Sequence, residues 1–215
     1  MAERHSLIWS SVRAAMLSDG GRTDEETRLL HRLREVMPPG RRVTVLADRG
    51  FGDQALYAML PEWGWDFVIR FRGCIHVTNA AGEKRRADHW LHPTGTARML
   101  KGVQVTAKRT PTPAVVSVKA KGMNDAWYLA TSRADLTATQ VVKLYGRRFT
   151  IEETFRDLKG PRFGFGLSAT RVGRPDRRDR LILLFALTVL LLTLLGVASE
   201  RSGFDRRLRA NTVRT

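Results

Sequence analysis

The chain has 215 residues, a hydrophobic fraction of 43% and a formal net charge of +16. That much apolar content excludes a disordered tail, and the single cysteine, Cys74, excludes a scaffold stapled by intrachain disulfides. The basic residues are spread along the sequence, so the charge reads as a folded surface that attracts a polyanion, nucleic acid being the commonest.

The opening Met-Ala-Glu-Arg-His-Ser has no signal-peptide pattern, and the lone cysteine suits a reducing cytoplasm. Residues 6–17 mix apolar and polar character and read as a short strand or helix. From Thr23 an acidic start (Asp24, Glu25, Glu26) runs into Leu29, Leu30, Leu33 and Val36, an apolar stripe at helical spacing. Pro38-Pro39-Gly40 stops that helix. Residues 43–47 (VTVLA) are β-branched and apolar and predict a buried strand, with Asp48 at its carboxyl end. A second helix fits residues 53–63 and a further strand residues 66–71. This strand–turn–helix–strand order predicts an α/β layer with parallel pairing, in which active groups gather at the carboxyl ends of strands.

Residues 73–132 read as a β-rich, mostly antiparallel insertion within a single domain covering 1–215, with short runs at 75–78, 103–107, 114–118 and 127–130. Thr137 caps a helix expected over residues 138–159, closed by Gly160 and Pro161. Residues 161–175 are loop, and residues 202–215 a basic tail. Residues 181–199 are almost wholly apolar and long enough to span a bilayer. Arginines flank them on both sides (Arg178, Arg180, Arg201, Arg206), which gives no orientation signal, so the preferred reading is a central helix buried on all sides.

The helix of residues 138–159 carries the most informative pattern. Tyr145, Arg148, Glu152 and Lys159 recur as Y-x2-R-x3-E-x6-K and, on one continuous helix, fall within about 60° of each other. Glu152 on that stripe and Asp48 at the strand end are the candidate catalytic carboxylates, because phosphodiester cleavage by two divalent ions needs carboxylates from separate elements. Arg148 offers a bidentate fork, Lys159 a point charge and Tyr145 a hydroxyl, together a phosphate-binding set. Taken singly, Asp48 reads as a turn-capping residue, Glu152 as a solvated helix residue and the cations as an outer helix face; only the combination points elsewhere. Cys74, His76, His89 and His92 superficially resemble zinc ligands, but the first pair is too closely spaced, and they read as loop and hairpin residues. Trp90 and Trp127 offer ring faces for a displaced base, with core packing the default.

The segments Val45-Leu-Ala-Asp48-Arg-Gly-Phe51, Phe67-Val-Ile-Arg70 and Trp127-Tyr-Leu-Ala-Thr-Ser132, together with the Y-x2-R-x3-E-x6-K helix, resemble the DDE transposases of the insertion-sequence-four family. The likeness extends over most of residues 6–215. It implies a ribonuclease-H-like catalytic fold with a β-rich insertion before the last catalytic helix. It also implies two Mg2+ (or Mn2+) ions and cleavage and joining of double-stranded DNA at transposon terminal inverted repeats. Carried across, Asp48 resembles the second acidic residue of the triad and Glu152 the third. Tyr145, Arg148 and Lys159 match the residues that engage the DNA end, and Arg70 a recurrent basic position nearby.

The family's first catalytic Asp lies on a strand preceding anything in this sequence, and Asp19 and Asp24 sit in a turn and a helix start. The expectation is therefore a fold incomplete at its N-terminus and a chain inactive or very weak alone. Its expected partners are DNA, a second copy in a homodimer and an upstream polypeptide supplying the missing part, without a membrane. Two other readings stand beside it: a non-catalytic DNA-binding remnant, and a basic membrane protein spanning residues 181–199.

Overall fold

The computed structural model describes residues 22–51, 54–162 and 165–204. The strand or helix expected over residues 6–17 and most of the basic tail lie outside them. The chain divides between Phe149 and Thr150 into two compact units.

The first unit is built on a seven-stranded mixed sheet of order β1-β2-β7-β6-β5-β3-β4. Helix α1 (Arg22–Val36) precedes β1 (Thr44–Ala47), and α2 (Gln54–Glu62) joins β1 to β2 (Asp66–Phe71). The helical connection makes β1 and β2 parallel, with Ala47 opposite Ile69. The other strands are β3 (His76–Thr78), β4 (Lys84–Arg86), β5 (Arg98–Val105), β6 (Thr110–Val118) and β7 (Trp127–Thr131), and every remaining pairing is antiparallel. The β-rich segment thus continues the same sheet, since β7 pairs with both β2 and β6. Strand β4 has no apolar pattern in the sequence: its three residues, Lys84–Arg86, are all exposed.

The period of two along β1 and β2 sorts their side chains between two cores. Val45, Ala47, Phe67 and Ile69 face a core that takes in Leu30 of α1 and Leu56, Tyr57 and Leu60 of α2. Leu46 and Val68 face the opposite one, covered by Val141 and Tyr145 of α3 (Ala138–Gly146). Helix α3 starts where the sequence predicts: Thr137 and Gln140 form a reciprocal capping box.

The expected continuous helix over 138–159 is interrupted. Helix α3 ends at Gly146, Arg147 and Arg148 form a turn, and α4 (Phe149–Lys159) follows. The N–H groups of Arg147 and Arg148 donate to Leu144 O and Tyr145 O, a tightening to three-residue spacing next to Gly146, a poor helix former. The helix-wheel argument therefore does not carry across the turn.

The second unit contains α4, a short 3₁₀ turn at Leu167–Ala169 and α5 (Pro175–Ser202). Helix α4 ends as expected at Gly160, whose N–H donates to Arg156 O at 2.8 Å. Pro175 opens α5, and Gly203, at a φ of 70°, closes it in the left-handed conformation. The expectation of a helix buried on all sides is corrected. Phe185, against Phe165 with ring centroids 4.3 Å apart, is its buried residue, whereas Leu184, Leu191 and Leu195 are exposed. The described elements of this unit are too few to enclose a helix of 28 residues.

Candidate functional site

Asp48 follows the last residue of β1, where the chain leaves the sheet for a short 3₁₀ turn at Arg49–Phe51. Its Oδ1 accepts the N–H of Arg49 at 2.7 Å, which fixes the carboxylate at the strand end. Its side chain is 41% exposed, and Oδ2 lies 3.9 Å from Nη2 of Arg148. Only 16% of the Arg148 side chain is exposed.

Arg70 reaches the same end of the sheet by register. The pair Ala47 and Ile69 puts Asp48 and Arg70 one step further along two parallel strands, on the face of Leu46 and Val68. Nη2 of Arg70 donates to Ala126 O at 3.4 Å and stands 4.0 Å from Asp125, which anchors it to the loop before β7.

Tyr145, in the last turn of α3, is wholly buried. Its ring packs edge-on to Trp127 at 5.1 Å. Its hydroxyl makes no hydrogen bond of acceptable geometry, although it lies within electrostatic reach of Arg148, Asp48 and Arg70. Burial pushes that hydroxyl up to about 12; Asp48 adds to the rise, and the two arginines oppose it. Arg148 is also braced by rings, its Cζ 5.0 Å from the Phe149 centroid and 5.9 Å from that of Tyr145. Phe149 in turn stacks on Trp127 at 5.5 Å.

The first unit therefore brings together Asp48, Arg70 and the neighbouring pair Tyr145 and Arg148, from three separate stretches of the chain. Glu152 and Lys159 lie in the second unit, both exposed, in the first and last turns of α4. Seven residues apart on one helix, they share a face, offset by about 20°. Of the tryptophans, Trp90 is buried and donates through Nε1 to Val77 O at 3.3 Å, and Trp127 packs under Tyr145 and Phe149.

The sequence does not single out Phe149 as part of the cluster. The signal was available: it directly follows Arg148, but as an apolar residue at a helix start it reads as core. Nor does the sequence show that Arg148 would sit in a turn, where it reaches back to a strand end.

As a ligand for a hard divalent cation, Asp48 fits by donor type: one oxygen is committed to a backbone N–H, and the other faces a cation at a distance too long for a hydrogen bond. Glu152 offers the same donor on an exposed helix turn. Among the described residues, no group of three or more His, Cys, Asp or Glu side chains gathers to hold a metal ion. Donor chemistry is thus met, and a complete ligand set within the described residues is not.

A comparison with curated proteins finds no match. The family described as Transposase DDE domain matches residues 9–191. That span covers most of the sequence and includes Asp48, Arg70, Tyr145, Arg148, Glu152 and Lys159, so the chain belongs to the transposase DDE domain family.

Proposed function

We propose that this chain acts in DNA transposition as the catalytic-domain part of an insertion-sequence-four-type transposase, working on the phosphodiester backbone at transposon ends. The observation that carries this reading is the cluster of a strand-end carboxylate, Asp48, an arginine at 3.9 Å, Arg148, and a buried phenol without a hydrogen bond, Tyr145. A structural ion pair alone has no need of the buried unsatisfied hydroxyl, which costs stability where it stands. The parallel β1–β2 pair, with the antiparallel β7 beside it, suits a ribonuclease-H-like reading in which the segment 73–132 is the insertion.

In this reading Asp48 and Glu152 are the divalent-ion ligands, Mg2+ or Mn2+. When bound, two such ions activate the attacking oxygen and steady the leaving oxygen of an in-line displacement. Arg148 supplies paired N–H donors to a phosphate oxygen, from a guanidinium whose freedom is already reduced by the rings of Tyr145 and Phe149. Tyr145 orients that guanidinium. Arg70, fixed by Ala126 O, adds positive potential at the strand end. Lys159 provides a point charge for the backbone beyond Glu152. Terminal inverted repeats are the DNA partner, with a homodimer the working form.

The test is manganese-dependent nicking of duplex DNA carrying candidate terminal repeats, using the full chain, with and without a partner polypeptide that supplies a further carboxylate. The reading predicts manganese-dependent cutting that requires Asp48 in whichever arm cutting is seen. Robust cutting by an Asp48→Ala chain overturns the assignment. One observation favours a second reading, a membrane protein: α5 is a 28-residue helix whose apolar stretch has a mean hydropathy of 2.9. Recovery of the chain without detergent contradicts that alternative.

A further inference from the structure

The second unit contains a hollow of about 540 Å³ lined by Lys159, Leu167, Arg171, Val172, Gly173 and Arg178. Three of the lining residues are cations and none is an acid. They come from three places: the last turn of α4, the loop after the 3₁₀ turn and the first turns of α5. The volume is in the range of ligand sites.

The local charge and backbone also suit an anion. The loop of Val172 and Gly173 is followed in the chain by Arg174, at the N-terminus of α5. The acid nearest that helix start, Asp176, is engaged by Arg174 through two hydrogen bonds, at 3.1 and 3.2 Å. Arg171 adopts a φ of 51°, in the left-handed region where glycine is the residue of least strain. A glycine stands two positions on, yet the strained position holds an arginine that lines the hollow. Strain of this kind collects where a side chain must be aimed.

We infer that Lys159, Arg171 and Arg178 form one clamp for consecutive phosphates of a DNA strand, which assigns Arg171 and Arg178 to binding alongside the signature lysine. This rests on the reading of the chain as a DNA-end-binding transposase domain. The clamp grips the backbone, so it sets affinity and register and carries no base preference.

The experiment is fluorescence anisotropy of the full chain on a duplex oligonucleotide across a salt series. In the variant Arg171→Gln with Arg178→Gln, the slope of log affinity against log salt should fall by about 1.8, which is about 0.9 for each phosphate no longer neutralised. The weakening should be equal on unrelated sequences. Lys101→Gln with Lys108→Gln, on exposed residues of the other unit, is the charge-matched control and should leave the slope within about 0.3 of wild type. Arg171→Lys with Arg178→Lys keeps the charge and should keep the slope, which guards against misfolding of the glutamine variant. An equal fall in the control, or no fall in the glutamine variant while wild type binds DNA, overturns the clamp. Failure of wild type to bind DNA overturns the transposase reading itself, and the clamp with it.

Discussion

In the first unit the Asp48 carboxylate faces the Arg148 guanidinium at 3.9 Å, so the end of β1 and the turn after α3 set opposite charges side by side. The separation is too long for a strong hydrogen bond, and the carboxylate is partly solvated, so the pair adds on the order of 0–1 kcal/mol to stability. A pair this weak contributes little to holding the fold.

Arg148→Ala is expected to lower stability by about 1–2 kcal/mol, chiefly through the packing its largely buried side chain loses against Tyr145 and Phe149. Duplex DNA affinity should fall about tenfold, the effect of removing one charge-assisted hydrogen bond. Arg148→Lys should recover part of that, because it restores charge without the fork. Calorimetry and anisotropy on the same preparations check both. A large fall in stability with unchanged DNA affinity would make Arg148 structural.

Tyr145→Phe separates stability from function. The buried hydroxyl has no hydrogen bond, so removing it should leave stability at pH 7 unchanged or raise it by about 1 kcal/mol. The phenol's folded value, about 12, lies above the ordinary 10.0. The folded state therefore holds the proton more tightly than the unfolded chain. Ionisation of this group leaves wild-type stability undiminished below about pH 10 and lowers it as pH rises toward about 12, by on the order of 2 kcal/mol in all. Unfolding of wild type and Tyr145→Phe from about pH 8 to 11 should show the steeper alkaline decline in wild type. DNA affinity should fall in the variant, through the less well-oriented Arg148.

Asp135 gives an acid-side counterpart away from the site. Its hydrogen bonds to the buried Arg133 hold its carboxyl at about 2, below the ordinary 3.8. That stability is present above about pH 4 and lost as pH falls toward about 2. Because Asp135 is largely exposed, it is worth less than about 1 kcal/mol. Asp135→Asn should flatten the acid limb of a pH–stability curve by that amount and leave DNA binding unchanged.

Gly95→Ala is the stability control with no part in the site. Gly95 has a φ of 74°, and a Cβ there would collide with the carbonyl oxygen of Lys119. Its own carbonyl accepts the Lys119 N–H at 2.9 Å, so the backbone cannot easily move away. A loss of more than about 2 kcal/mol is expected in denaturant unfolding.

Much of this architecture is legible in the sequence, for identifiable reasons. Strand β2 is bounded as read because its apolar run is nearly uninterrupted, and α3 begins at Thr137 because the capping box is a local signal. Parallel pairing of β1 and β2 follows from the helix between them. Strand β4 is not legible, since an exposed Lys-Arg-Arg segment pairs through its backbone alone. The break at Arg147–Arg148 is hidden because Gly146 is a weak signal inside a strongly helical pattern. The surroundings of α5 are tertiary facts that an apolar run does not reveal. At the candidate site, the sequence singles out Asp48 by its place at a strand end and Arg148 and Tyr145 by type and spacing. It does not show that Arg148 reaches the strand end, or that Tyr145 is buried beside Trp127, because both depend on packing.

The most direct measurement is Mn2+ binding to the full chain with a short DNA duplex, followed by water-proton relaxation. The account predicts saturable binding by wild type and at least about tenfold weaker binding by Asp48→Asn and by Glu152→Gln, with both variants folded and still bound to DNA. Unchanged Mn2+ affinity in both variants would contradict the assignment of these two carboxylates as metal ligands.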